Sequence, residues 1–450
     1  MPSPPPDPTA MLRSRSYVRL LVLAAVLGVP ISAAAYGFLA LVGGLQEWLF
    51  SDLPQALGFD GAPLWWPLPL LTLAGVLVGL TIRYLPGRGG HSPADGFKAG
   101  GVPSPVELPG IAIAALATLS LGAVLGPEAP LIALGAGLAG SAVRLARRDV
   151  PAQATAVVAA AGSFAAVSTL LGSPLLGAFL LMEASGLGGP TLGLVLVPGL
   201  VAAGVGSLIF IGLDAWTGLG TFSLALPDVP SFARPDLAQF GWALVIGLVA
   251  AVVGTGIRRL ALALRPHVER RLLLATPLVG LAVGVLAVIY AEASGHSFSE
   301  VLFSGQDALG PLISQGASYS VGALVLLVAC KGLAYSASLA GFRGGPVFPA
   351  MFLGAAGGIA LSHLPGLPLV PGVAMGIGAM CVVMLRLPLT SVLLATLLLA
   401  ADGLVVMPLV IVAVAVAYVA SARFTPVPPP SPPAASAAAE PVQASRTPMQ

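Results

Sequence analysis

Gly126-Pro127-Glu128-Ala129-Pro130 places one carboxylate between two uncharged apolar runs, Ile111 to Leu125 before it and Leu131 to Val143 after it. If those runs sit in a bilayer, Glu128 lies at membrane depth, where a charge costs about 3 kcal/mol or more and marks function. Gly126 and the two prolines read as a broken helix, with Pro130 in the first turn of the segment that follows. A helix starting there points unpaired N–H groups and the positive end of its dipole at whatever Glu128 faces. The stretch therefore reads as an anion site with a titratable carboxylate beside it.

Composition extends this reading to the whole chain. Of 450 residues, 57% are hydrophobic and 8% charged, with a mean hydropathy of +0.97. Soluble domains carry roughly 25% charged residues. The chain is thus an all-α polytopic membrane protein embedded in a lipid bilayer. The net charge of +2 gives no reason to expect a nucleic-acid partner. Two cysteines exclude a disulfide framework; Cys330 and Cys381 sit in apolar runs and read as packing residues. Gly (56) and Pro (42) are abundant, as expected of broken, closely packed membrane helices. Nothing in the sequence calls for a cofactor.

Residues 1–16 are Pro-rich and polar and read as a disordered tail. The run Tyr17 to Val42 is long enough to span, and Arg13, Arg15 and Arg19 before it put the N-terminus in the cytoplasm. A first membrane repeat covers 17–213, a loop covers 214–237, and a second repeat covers 238–421. Residues 422–450 are a Pro/Ala/Ser tail. Several apolar runs fall short of the roughly 20 residues a span needs and have Gly/Pro edges, so they read as half-helices meeting at mid-membrane. The interruptions recur in order: Gly89–Pro93, Gly126–Pro130 and Gly172–Pro174 in the first half, Ser304–Gln306, Gly344–Pro349 and Leu387–Pro388 in the second. Paired interruptions of this kind point to two inverted-topology repeats with the site at their interface.

These residues resemble the CLC family of chloride channels and chloride/proton exchangers. Gly126–Pro130 is similar to the family's G-K/R-E-G-P, and Gly345-Pro346-Val347-Phe348-Pro349 to its G-x-F-x-P. Gly89-Gly90-His91-Ser92-Pro93 stands where the family has G-S-G-I-P. Ser173-Pro174-Leu175-Leu176-Gly177, running to Glu183, resembles N-A-P-L-A-G, and Pro388-Leu389-Thr390-Ser391 resembles P-L-T-G. The resemblance implies a homodimer in the cell (inner) membrane with one chloride pathway per subunit, the anion being held between helix N-termini supplied by three Gly/Pro motifs. It implies Glu128 as the gate and proton carrier, Glu183 as a further proton-site candidate, and Gly90, His91, Ser92, Ala129, Val347 and Phe348 as anion-binding candidates. It leaves open which of Gly90, His91 and Ser92 contacts the anion. Three departures stand out. Val347 replaces the family's Phe, with Phe348 beside it. The family's second, proton-accepting Glu falls on Ala184. No tyrosine follows Arg423 to stand for the family's C-terminal Tyr.

Plainer readings accompany several of these residues. Glu128 could cap a helix, and Glu183 could end a helix near water or pair with Arg147 or Arg148. Asp402 reads as a turn residue. Lys331 and Arg343 read as side chains snorkelling to the interface, or as cations drawing anions into a vestibule. His267, His296 and His363 read as loop residues. An uncoupled chloride channel and a transporter of another small anion, fluoride or nitrate, share the same site logic. An intramembrane serine protease built on Ser318 lacks a histidine base deep in any run, so the chain is not read as an enzyme.

Overall fold

A computed structural model describes residues 12–98, 101–146, 150–186, 190–224, 226, 232, 234–399 and 402–424. The single turn Leu53–Ala56 aside, these residues form fifteen α-helices. The first half holds α1 (Arg15–Glu47), α2 (Pro67–Tyr84), α3 (Leu108–Ser120), α4 (Glu128–Ala146), α5 (Ala152–Ala166), α6 (Pro174–Ser185) and α7 (Pro190–Thr217). The second holds α8 (Leu237–Arg270), α9 (Leu272–Ser294), α10 (Gln306–Ser314), α11 (Val321–Gly341), α12 (Val347–Ser362), α13 (Leu369–Leu385), α14 (Pro388–Leu398) and α15 (Gly403–Phe424). Eight helices are long and apolar enough to cross a bilayer. In contrast α3, α5, α6, α12, α13 and α14 have 10–17 residues, which at about 1.5 Å per residue stops short of a hydrocarbon core about 30 Å thick. α1 begins two residues inside the stretch read as a tail, because the Ser14 hydroxyl accepts from the Tyr17 N–H at 3.1 Å. Residues 1–11 and 425–450 lie outside the described residues.

Helix direction sorts the charges onto two faces. Arg13, Arg15 and Arg19 open α1, while Glu47 closes it and Asp52 and Asp60 follow. Arg83, Arg144 and Arg423 end α2, α4 and α15, and Arg258, Arg259, Arg265 and Arg270 fall in the second half of α8. Arg265 pairs with Asp95, Arg259 reaches the Phe424 carbonyl, and Arg144 the Pro103 carbonyl, so these segments share one basic face. Asp214, Asp236, Glu292, Glu300 and Asp307 fall at the other ends of α7, α8, α9 and α10. The positive-inside rule makes the basic face cytoplasmic.

Consecutive helices pair as hairpins, α3 with α4 and α5 with α6 in the first half, α11 with α12 and α13 with α14 in the second. The first pair in each half joins a helix too short to span to one long enough to do so. The packing scheme recurs accordingly: α1·α7, α1·α5, α5·α7, α4·α5 and α6·α7 in the first half are matched by α8·α15, α8·α13, α13·α15, α12·α13 and α14·α15 in the second. Small residues make these contacts close. Gly354 and Gly358 on α12 face Gly372 and Gly376 on α13, and Gly135 on α4 faces Gly162 on α5; a methyl on any of them would press into the backbone opposite.

Lys331 does not snorkel. It is fully buried on α11, and its ammonium donates to the carbonyls of Glu300 (2.9 Å), Val301 (3.2 Å) and Leu302 (3.0 Å), with Phe303 at 3.5 Å. The Phe352 ring lies 4.3 Å beneath it. The segment after α9 has turned its carbonyls inward, so the cation finds its partners inside the protein rather than at the lipid surface. Lys331→Met should leave those carbonyls without their donor, at about 1–3 kcal/mol for each buried one. The expected result is a thermal midpoint in detergent lowered by several degrees; an unchanged midpoint would show that the cage is not structural. His267 lies inside α8 rather than in a loop, its Nδ1 3.0 Å from the Ala263 carbonyl.

Candidate functional site

The breaks before α4 and α12 meet. Gly126 N–H donates to the Gly345 carbonyl at 2.8 Å, and Gly345 N–H returns the bond to Gly126 at 2.6 Å, forming an isolated antiparallel bridge. Between two helix starts, this pairing satisfies backbone groups that hydrocarbon would leave unpaired. Around it, the Val124 N–H donates to the Ser338 hydroxyl at 3.1 Å and the Tyr335 hydroxyl to the Pro346 carbonyl at 2.8 Å. Tyr335 and Ser338 both lie on α11, so that helix holds both breaks in register.

Glu128 is the first residue of α4 and is 0% exposed. Its Oε1 accepts the Val347 N–H, the first amide of α12, at 2.5 Å. Its Oε2 is buried with no hydrogen-bond partner among the described residues. The carboxylate thus lies on the N-terminus of a helix from the other half, where about half a positive charge is focused. It fits only because Gly126 and Gly345 lack a Cβ: a methyl at either would overlap the carboxylate, and one at Gly126 would also press on the Phe348 ring. Val347 contributes through its backbone, which is why the Phe-to-Val departure leaves the contact intact. Phe348 is buried beside it.

The remaining candidates separate. Ala129, Gly90 and His91 line a cavity of about 790 Å³ together with Gly89, Arg343 and Gly344. The cavity runs inward from the basic face, from the starts of α1, α5 and α7, and ends one residue short of Glu128 on α4. Ser92 is not in its wall; it precedes a single 3-10 turn, Pro93–Asp95. The expectation that three motifs each open a helix is therefore corrected to two, α4 and α12. Gly87, Gly89, Gly90 and Gly96 hold φ of 75°, 71°, 90° and 86°, and Arg88 51°, and such a run of left-handed residues cannot propagate an α-helix.

Glu183 lies at the end of α6 and crosses to α14. Its carboxylate accepts from Leu389 N–H (3.0 Å), Thr390 N–H (2.7 Å) and Thr390 Oγ1 (2.6 Å). This is a cap supplied by the other half of the chain; Arg147 and Arg148, its other suggested partners, lie outside the described residues. Glu183→Ala should cost about 1–2 kcal/mol of stability, read as a lower thermal midpoint, whereas an unshifted midpoint would deny the cap. The Ser318 hydroxyl donates to the Gln315 carbonyl at 2.7 Å in a surface turn. Among the described residues, no group of three or more His, Cys, Asp or Glu could hold a metal. Sequence reasoning missed Tyr335 and the pairing of Gly126 with Gly345. A lone Tyr in an apolar run carries no signal; the glycines' matching places in the two repeats were the available one.

Two helix starts that meet at a buried carboxylate, in a chain with eight helices long and apolar enough to span among the described residues, fit a membrane transport protein for anions. Residues 74–422 match the family described as voltage gated chloride channel, and the chain belongs to this CLC family, whose members are transporters and channels. It is 28% identical over 364 residues to the ion-transport protein YfeO of Escherichia fergusonii, covering 79% of this chain and 82% of that protein. It is 29% identical to YfeO of Salmonella paratyphi A, covering 79% and 84%. Among solved structures it is similar in fold to a slow cyanobacterial Cl−/H+ antiporter, with TM-score 0.69, 19% identity and coverage of 90% and 95%. A CLC-type fluoride/proton antiporter gives 0.66, 18%, 90% and 96%. The chain is a multi-pass membrane protein of the CLC fold.

Proposed function

We propose that the chain moves chloride through one pathway per subunit of a homodimer, and that Glu128 is the gate of that pathway. The observation that carries this is the bond from Val347 N–H to Glu128 Oε1 beside an unpartnered Oε2. A helix N-terminus is a site for an anion without a full positive charge to trap it, and here a carboxylate of the protein lies on it. An ionised Glu128 and a chloride compete for the same amide. When Glu128 is protonated, it loses the charge that favours that amide, and chloride takes its place. The side chain then carries a proton each time it yields, which supplies the coupling for exchange. The reciprocal bonds between Gly126 and Gly345 support the inverted pairing of the two halves, because such a pair has a local two-fold axis.

Chloride efflux from reconstituted vesicles with simultaneous proton recording, wild type against Glu128→Ala, tests the proposal. Chloride driven by a pH gradient alone in the wild type, and lost in the variant, supports exchange through Glu128. Chloride flux with no proton movement supports the uncoupled channel, a reading favoured by the capping role of Glu183 and by Ala184 at the position of the family's second Glu. The fluoride/proton antiporter among the structural neighbours favours including fluoride and nitrate in the same efflux series. A wild type that passes neither chloride nor these anions would end the proposal.

A further inference from the structure

The 790 Å³ cavity has a cation at its inner end. Among the described residues its wall contains Arg343, His91 and Lys98 and no Asp or Glu; most of the rest is apolar. Arg343 stands immediately before Gly344 and Gly345, on the strand of chain that makes the bridge to Gly126. Its backbone N–H donates to Thr118 Oγ1 at 3.3 Å. Its guanidinium donates from Nε to the Arg88 carbonyl at 3.3 Å and from Nη1 to the Phe342 carbonyl at 3.1 Å. Both partners are neutral. The carboxylates that reach it electrostatically, Asp95 and Glu269, are each held by Arg265 in ion pairs. Among the described residues Arg343 makes no ion pair of its own.

A full positive charge, half-buried and facing a mostly apolar cavity, draws a mobile anion, since low-dielectric walls focus its field. Two fixed carbonyl bonds also hold the guanidinium in one orientation, so little side-chain entropy opposes binding. We infer that Arg343 is an anion-binding station on the cytoplasmic side, where a small inorganic anion halts before it reaches the amide guarded by Glu128. The proposal rests on the transport reading above and goes further by naming the residue that loads the pathway from the basic face. The motif supplies no such charge of its own, because Pro127 stands where the resembling motif carries Lys or Arg.

The test measures chloride efflux against chloride concentration on the basic face, in wild type, Arg343→Gln and Arg343→Lys. In Arg343→Gln the concentration for half-maximal flux should rise about tenfold, the effect of losing roughly 1.4 kcal/mol of attraction, while the pH response owed to Glu128 stays. Arg343→Lys should keep the half-maximal concentration within about threefold, since the charge remains. To separate charge from loss of the Arg88 carbonyl bond, Arg343→Cys is modified from the basic face with a cationic or an anionic thiosulfonate; Cys330 and Cys381 are both buried. The cationic reagent should restore the lower half-maximal concentration and the anionic one should not. If the wild type moves no anion, the transport reading fails and the station with it. If the wild type transports and Arg343→Gln keeps its half-maximal concentration, or both reagents act alike on Arg343→Cys, the station alone is overturned.

Discussion

Glu128→Gln is expected to leave chloride flux running and to flatten its dependence on pH. In the wild type the sign follows from the site. With Glu128 ionised at high pH, its Oε1 takes the Val347 N–H, so on the proposed mechanism the start of α12 should be occupied and flux low. As pH falls and the carboxyl gains a proton, the charge-assisted bond should weaken and flux should rise. A glutamine has the same shape and accepts the same amide, but as a neutral group at every pH. A hydrogen bond to a charged group contributes about 1.5–3 kcal/mol and a neutral one about 0.5–1.5. The difference of roughly 1–2 kcal/mol changes occupancy of the amide by a factor of about 5–30. Flux through Glu128→Gln at high pH should therefore approach the wild-type rate at low pH. Retained pH dependence in the variant would remove Glu128 from the gate.

What the sequence could show about this site depends on whether a residue's role is written in its own neighbourhood. Glu128 was legible because a carboxylate between two uncharged runs has few uses. The broken helices were legible because Pro and Gly act locally on the backbone. The two-fold plan was legible because the breaks recur in order, and it reappears as matched helix contacts in the two halves. The first motif was expected to open a helix only because Gly89-Gly90-His91-Ser92-Pro93 stands where the resembling family has G-S-G-I-P. Whether a helix follows depends on φ values that the letters do not carry, and here the left-handed glycines end in one 3-10 turn. Lys331, Glu183 and Tyr335 were beyond reach for a different reason. Their partners are 28 to 207 residues away or are backbone carbonyls, and a carbonyl has no signature in sequence. The same applies to Arg343, whose role follows from a cavity wall assembled by both halves.

Gly345→Ala should have the other large effect, and in a form that a simple loss of stability cannot imitate. The added methyl at position 345 would overlap the Glu128 carboxylate, the far end of a side chain that can turn aside, rather than backbone. The protein has two ways to respond. It can open the Gly126–Gly345 bridge, losing two short backbone bonds of 2.8 and 2.6 Å at mid-membrane, where unsatisfied groups cost several kcal/mol each. Or it can expel Glu128 from the Val347 amide, losing one charge-assisted bond of about 1.5–3 kcal/mol. The second is the smaller loss, so Gly345→Ala should behave as an open gate, with flux at high pH raised toward that of Glu128→Gln. The decisive measurement is the double variant. If the methyl acts by displacing the carboxylate, Gly345→Ala adds little once Glu128 is already Ala, because the atoms it would strike are gone, and the two effects combine to less than their sum. If instead it acts by breaking the bridge, the double variant loses folded yield and flux whatever residue stands at 128, and the effects add. Strict additivity would show that the glycine serves the backbone pairing alone and that Glu128 does not rest between the two breaks in the working protein.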